Sequence, residues 1–203
     1  MAFVTFEGIE GSGKSTQARR TAEWLGKTGR EVCLEREPGG TAFGVRLREA
    51  LLDPGLSPDS LTEVLIFIAD RRQHVLERIT PALARGAMVL CDRFRDATEA
   101  YQGGGRGIPA DVLQSLERLA GDLRPDRTLL LDCPVETGLA RARHRDAGDG
   151  ARFEREPAEF HRRVREAYLA IARREPERVR VIDSTRTEQE VFDNVCAALE
   201  DLR

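Results

Sequence analysis

Short apolar runs alternate with longer amphipathic ones along the chain. Residues 2–7 (AFVTFE) read as a strand stopping at a glycine. Residues 14–28 follow as a helix with Ala18, Thr21, Ala22 and Leu25 on one face. Residues 31–35 (EVCLE) form a second strand, ended by the turn signal Pro38-Gly39-Gly40. A short helix over 42–52 stops at Asp53-Pro54-Gly55. Ser57 or Ser60 would cap the next helix, expected to run to about 85. Its middle, Leu61 to Ala69, is apolar nearly all round, which predicts burial. Strand 87–91 leads into Asp92-Arg93, and a helix over about 96–102 precedes Gly103-Gly104-Gly105. Then come a helix at 110–122, a strand at 127–132 and a helix beginning at 135–143. Residues 145–150 read as a mobile loop. Helix resumes at about 156–174, and a strand (179–183) and a helix (187–202) close the chain.

Five continuous apolar strands, each followed by a helix, predict a five-stranded parallel sheet with helices on both faces, an α/β three-layer fold. Ligands in such sheets sit beyond the carboxyl ends of the strands. The 203 residues fit one domain spanning 1–203. Basic residues number 32 and acidic residues 35, a net charge of −3, which argues against a nucleic-acid binder with a large basic excess. Only Lys14 and Lys27 are lysines among those 32 basic residues, so a retained lysine draws notice. No apolar run is long enough to span a membrane and no leader is visible, so a cytoplasmic chain is expected. Cys33, Cys91, Cys133 and Cys196 show no C-x-x-C spacing and read as buried, reduced thiols.

The first strand runs into Gly8-Ile9-Glu10-Gly11-Ser12-Gly13-Lys14-Ser15, which matches G-x-x-x-x-G-K-[ST] between a strand and a helix. Its glycines let backbone N–H groups turn inward around a phosphate, and the helix places its positive end there. Lys14 would reach the β- and γ-phosphates, and the Ser15 hydroxyl suits Mg²⁺. A GTPase would normally carry N-K-x-D, but the one asparagine, Asn194, precedes Val195. Asp92 ends its strand where it would hold Mg²⁺ or assist an attacking oxygen, and Arg93 would clamp a second anion with its planar fork. Phe67, Arg71 and His74 share a helix face at i, i+4 and i+7. On spacing alone, Phe67 reads as core and Arg71 as rim. The stretch Arg36 to Thr41 reads as a turn that would offer Arg36 to a phosphate. Tyr101 to Gly107 reads as a helix end and loop.

Together, GIEGSGKSTQ, REPGGT, Phe67-x-x-Asp70-Arg71-x-Gln73-His74, DRF, AYQGGGRG, Arg152-Phe153-Glu154 and Tyr168-Leu169 resemble the bacterial thymidylate kinases, in order across about residues 3–170. The resemblance implies a P-loop kinase fold with a small lid at about 143–155. It implies Mg²⁺-dependent transfer of the ATP γ-phosphoryl to dTMP, and a homodimer. By position, Gly8, Ile9, Glu10, Gly11, Ser12, Gly13, Lys14, Ser15 and Thr16 would bind ATP. Ser15 and Asp92 would hold the metal. Glu10 would meet the sugar 3′-hydroxyl, Phe67 stack on thymine, Arg71 read its edge and Arg93 clamp the dTMP phosphate. Tyr101 would pack near the sugar 2′ position. Arg36, Pro38, Thr98 and Gln102 would complete the acceptor set. Lys14, Asp92, Arg93 and a lid arginine would carry the chemistry. Glycine at position 11 goes, in that family, with a lid arginine, for which Arg143, Arg145 and Arg152 qualify and Arg152 fits the motif. Ala97, Phe94 and Ala151 depart from common residues there. The Ser184-Thr185-Arg186 loop, placed after the last strand, is a plausible neighbour of adenine. A kinase for another acceptor and a nucleotide-binding regulator without turnover are the alternatives; acceptor-dependent ADP release separates them.

Overall fold

The computed structural model describes residues 1–144 and 151–202. Its sheet is five-stranded, wholly parallel and ordered β2-β3-β1-β4-β5, with β1 at Ala2–Glu7, β2 at Val32–Arg36, β3 at Met88–Asp92, β4 at Arg127–Asp132 and β5 at Val179–Asp183. The strands lie within a residue of their expected bounds. β1 is central and buried along its whole length.

Alternate residues of β1 supply opposite layers. Val4 and Phe6 pack with Ala18 and Leu25 of α1 (Lys14–Gly26) and Val191 and Val195 of α10 (Glu188–Ala198). Phe3 faces the other layer, against Val75, Ile79 and Phe94. α9 (Ala158–Arg174) completes that layer, placing Val164, Tyr168 and Ile171 against Leu130 and Val179. Of the other helices, α3 (Ser60–His74) packs against α2 (Ala42–Leu52) and α6 (Ala110–Ala120), and α7 (Val135–His144) packs against α9. α8 (Ala151–Glu154) is a single turn.

The expected helix from 57 or 60 to 85 differs in three respects. Its cap is Asp59, not Ser57 or Ser60; the carboxylate accepts from the N–H groups of Leu61 and Thr62 and suits the helix's positive end. After α3 the helix widens into a π turn at Val75–Ile79, then resumes as α4 (Thr80–Ala84), where Pro81 has no N–H to continue the ladder. Burial of Leu61 to Ala69 is one-sided. Val64 and Ile68 pack on Leu113 and Ala120 of α6, whereas Leu61 and Leu65 are about half exposed. A second π segment, Glu99–Gly105, follows α5 (Arg95–Thr98) and takes in the three glycines expected to be loop. All four cysteines are thiols; Cys91 and Cys133 are buried, but Cys33 and Cys196 are only half-buried.

Candidate active site

One cleft at the carboxyl ends of β1, β2 and β3 brings together Lys14, Asp92, Arg93, Phe67, Arg71 and Tyr101. The phosphate loop forms one end. Gly11 has φ +70°, and a Cβ there would fall 1.9 Å from the Gly138 carbonyl oxygen, so α7 packs directly on the loop. Lys14 is buried, and its Nζ donates to the Ile9 carbonyl at 2.7 Å. Burial, then the Arg93 charge, pushes Lys14 down to about 8. The Ser15 hydroxyl donates to the Asp92 carboxylate. Two hard oxygen ligands beside a phosphate cradle fit Mg²⁺, which takes few protein ligands and fills its shell with phosphate and water.

Arg93 occupies the centre. It holds φ +71°, a left-handed conformation that a non-glycine residue keeps only when its surroundings enforce it. Its N–H donates to the Phe6 carbonyl, fixing it to the end of β1. Its guanidinium donates to Glu10 at 2.9 Å, to the Tyr101 hydroxyl at 3.1 Å and to the Gly8 carbonyl at 3.2 Å. The Tyr101 hydroxyl also donates to Glu10, at 2.6 Å. Burial opposes the Glu10 charge, but Arg93, His161 and Lys14 hold its carboxyl well below the usual range. Glu7 is the opposite case. Burial and Asp96 push it up to about 8, while Tyr168 and the Phe94 N–H donate to it.

The far end is a network of buried ions. Glu37 accepts from Arg71 Nε at 2.8 Å, and Arg71 Nη1 donates to Glu117 of α6. His74 bridges Glu37 at 3.0 Å and Glu35 at 3.2 Å. Burial opposes the His74 charge, but the two carboxylates raise it to about 9. Arg71 therefore lies buried over the Phe94 ring at 5.0 Å, not at a rim, because its charge has carboxylates on both sides. Phe67 lines the cleft half-buried instead of filling the core. Arg36, Pro38, Ala97, Thr98 and Gln102 line it too. Gly8, Ile9, Ser12 and Thr16 do not. Ile9 turns its side chain into the core, and Ser12 is buried beneath Lys14. Residues 184–186 also lie away from the cleft; Arg141 of α7 donates to the Ser184 carbonyl at 2.7 Å.

The structure does not bring Arg152 to the phosphate loop. Glu63, wholly buried on α3, accepts from Arg152 at 2.7 Å, from Gln102 at 3.0 Å and from Arg106 at 3.2 Å, while Arg152 Nη1 also donates to the Leu51 carbonyl. A buried carboxylate demands such cations. Arg143 is exposed on the last turn of α7. Arg145, the loop at 145–150 and the Ala151 side chain lie outside the described residues. Sequence reasoning passed over Glu7, Glu37, Arg48, Glu117 and His161. Of these, Glu37 lies within the REPGGT stretch, and His161 left a signal of its own: a polar residue beside Phe160 on the apolar face that continues through Val164 and Tyr168.

A phosphate loop opening a helix at the end of the central strand, facing an arginine-centred acceptor end, defines a P-loop phosphotransferase. A family model described as "Thymidylate kinase" matches residues 6–195. The chain is 50% identical to a thymidylate kinase of Desulfosudis oleivorans, over 98% of this chain and 96% of that one. It is 52% identical to one of Geobacter sulfurreducens, over 89% and 88%. A crystal structure of thymidylate kinase from Ehrlichia chaffeensis superposes with TM-score 0.81 at 37% identity, covering 98% of each chain. The chain belongs to the thymidylate kinase family.

Proposed function

We propose that the chain transfers the γ-phosphoryl group of ATP to dTMP, giving dTDP and ADP. The observation that carries this reading is one cleft with the phosphate loop at one end, Phe67 and Arg71 at the other and Arg93 between them. A dTMP phosphate oxygen attacks the γ-phosphorus in line, and the bond to the β-phosphate oxygen breaks toward ADP. Above its second pKa of about 6 the acceptor phosphate is a dianion, so no proton moves and no base is needed. The work is positioning and charge dispersal. Lys14 and Arg93 would flank the transferred group, and Gly11 and Gly13 line the cleft beside Lys14. Ser15 and Asp92 would hold Mg²⁺, which neutralises the β- and γ-oxygens when bound. Phe67 stacks on thymine, Arg71 keeps its Glu37 and Glu117 partners while facing the base edge, and Thr98, Gln102, Arg36 and Pro38 border the nucleotide.

The cleft measures about 230 Å³ with Phe153 of α8 lining it, below the roughly 300–1,000 Å³ of ordinary ligand pockets. Admitting both nucleotides therefore calls for α8 to shift, consistent with a lid at about 143–155 in one domain. Arg152 serves as the lid cation only if it leaves Glu63. Leu61 and Leu65 on α3 and Leu119 on α6 expose apolar surface that we assign to a second copy of the chain; sedimentation at twice the chain mass is expected. No helix among the described residues is long and apolar enough to cross a membrane, and cytoplasmic placement agrees with four thiols.

ADP release with Mg·ATP is tested against dTMP, dUMP, UMP, CMP, AMP, GMP and thymidine. Strong release with dTMP, weak release with dUMP and background elsewhere is expected. Preference for another acceptor would overturn the roles of Phe67, Arg71 and Tyr101.

A further inference from the structure

His161 sits on α9 with no exposed surface. Neither of its ring nitrogens has a hydrogen-bond partner among the described residues. Buried polar groups are partnered in the great majority of cases, so an unpartnered imidazole needs a reason. Its neighbours on the same helix face, Phe160 and Val164, are apolar, and the Phe160 ring stands edge-on at 5.4 Å. A phenylalanine would suit that position better. Among the described residues its ion-pair partner is Glu10: His161 Nδ1 lies 3.3 Å from Glu10 Oε2, near enough for a hydrogen bond but not aligned for one.

Glu10 is buried on the phosphate loop and shares its oxygens among Arg93, Tyr101 and the more distant Lys14. In the reaction proposed above, Arg93 is needed at the acceptor phosphate and Lys14 at the donor phosphates. Both duties draw positive charge away from a buried carboxylate. Among the described protein groups, Tyr101 would then be the one still aligned on it, unless His161, already 3.3 Å from Oε2, swings into line. His161 stands where such a donor has to stand, on Oε2 and on the side of Glu10 away from Arg93's oxygen, Oε1.

We propose that His161 is the positioning residue for Glu10, taking up Oε2 when Arg93 turns to the acceptor phosphate and thereby fixing the carboxylate that receives the sugar 3′-hydroxyl. This rests on the assignment of Glu10 to that hydroxyl. His161 touches no substrate; its effect passes through Glu10 alone. It should therefore matter for a nucleotide with a 3′-hydroxyl and not for one without.

The test compares dTMP with its 3′-deoxy analogue in steady-state kinetics at saturating ATP. For His161→Phe, which keeps the ring volume, KM for dTMP should rise about tenfold while KM for the 3′-deoxy analogue and for ATP stay within about twofold. His161→Gln, whose amide can donate to the same oxygen, should recover most of the preference. Equal losses on both nucleotides, or none on either, would overturn the proposal if Glu10→Gln does abolish the preference. If Glu10→Gln leaves the preference intact, the assignment of Glu10 falls and the proposal falls with it. A measurement on the unaltered chain avoids dependence on any variant's folding. The chain has three histidines, so ¹⁵N-histidine labelling resolves His161. Its ring resonances should move when dTMP saturates the site, and an unmoved resonance at saturation would overturn the proposal.

Discussion

The two ends of the cleft are built from different materials. The phosphate-loop end is mostly backbone: a strand, a turn made of glycines and the first turn of a helix, within the contiguous stretch 2–17. The acceptor end is mostly side chain. Glu35, Glu37, Arg71, His74 and Glu117 come from β2 and the turn after it, α3 and α6, and hold one another as buried ions. A backbone cradle offers N–H groups that are there whatever surrounds them. A side-chain network exists only when every partner is present. The donor end should therefore tolerate side-chain loss without unfolding, while the acceptor end should couple function to stability.

Arg93 joins the two ends, and its removal should have the largest effect. Arg93→Ala is expected to lower kcat/KM for dTMP about a thousandfold or more, with ATP affinity held within a few-fold. Because position 93 has φ +71°, Arg93→Gly removes the same charge without placing a Cβ in a left-handed conformation. The two variants should match in kcat/KM, while the glycine variant is the more stable. Near-normal turnover by either would remove Arg93 from the chemistry.

Next in size is the contrast in stability. Arg71→Ala leaves the Glu37 and Glu117 carboxylates without their shared cation, and should lower unfolding free energy in urea by about 3 kcal/mol. Ser15→Ala, at the exposed donor end, should cost less than about 1 kcal/mol of stability while reducing turnover. Equal costs at both sites would break the contrast between a backbone cradle and a side-chain network.

The same contrast explains what the sequence discloses. Strands and the phosphate loop are local: apolar runs and one contiguous motif specify them, so β1, α1 and Lys14 are legible directly. The acceptor network is not. Arg71 lies 34 residues from Glu37 and 46 from Glu117, and nothing in its own helical spacing says that two carboxylates will bury it. The pairing of Arg152 with Glu63 is illegible for the same reason, since Glu63 is 89 residues away. Family resemblance put Arg152 in the lid but did not show where its guanidinium would rest. The π segments are illegible for a different reason. Widening a turn at 99–105 leaves composition and rough periodicity unchanged, yet it directs Tyr101 and Gln102 into the cleft.

Titration separates the two ends further. His74 is raised from 6.5 to about 9 by its carboxylates, so its contribution to stability is complete below about pH 6.5 and is lost as pH rises through 9. Glu7, raised from 4.5 to about 8 mainly by burial, acts in the same direction: it favours folding most below pH 4.5 and loses that through 8. Lys14, pushed from 10.5 down to about 8, acts the other way and gains stability as pH rises above about 8. On balance the chain should lose about 2 kcal/mol of stability between pH 7 and 9.5, seen as a falling thermal midpoint. His74→Gln should flatten a large part of that slope. A flat profile in the unaltered chain would remove the ionic account of the acceptor end.

The smallest effect concerns Phe67, the wall of the acceptor end that carries no charge. Its ring faces Phe153 of α8 at 6.3 Å and lines the cleft half-buried. Losing a stacking partner costs a base about 1–3 kcal/mol, so Phe67→Ala should raise KM for dTMP about tenfold. KM for ATP should change less than twofold, because the phosphate loop does not depend on that wall. Phe67→Tyr keeps the ring face and should stay within about threefold for both substrates. If Phe67→Ala instead weakens ATP as much as dTMP, or lowers the thermal midpoint as much as Arg71→Ala, then Phe67 acts as core. The line between the two ends would then have to be redrawn so that α3 supports both.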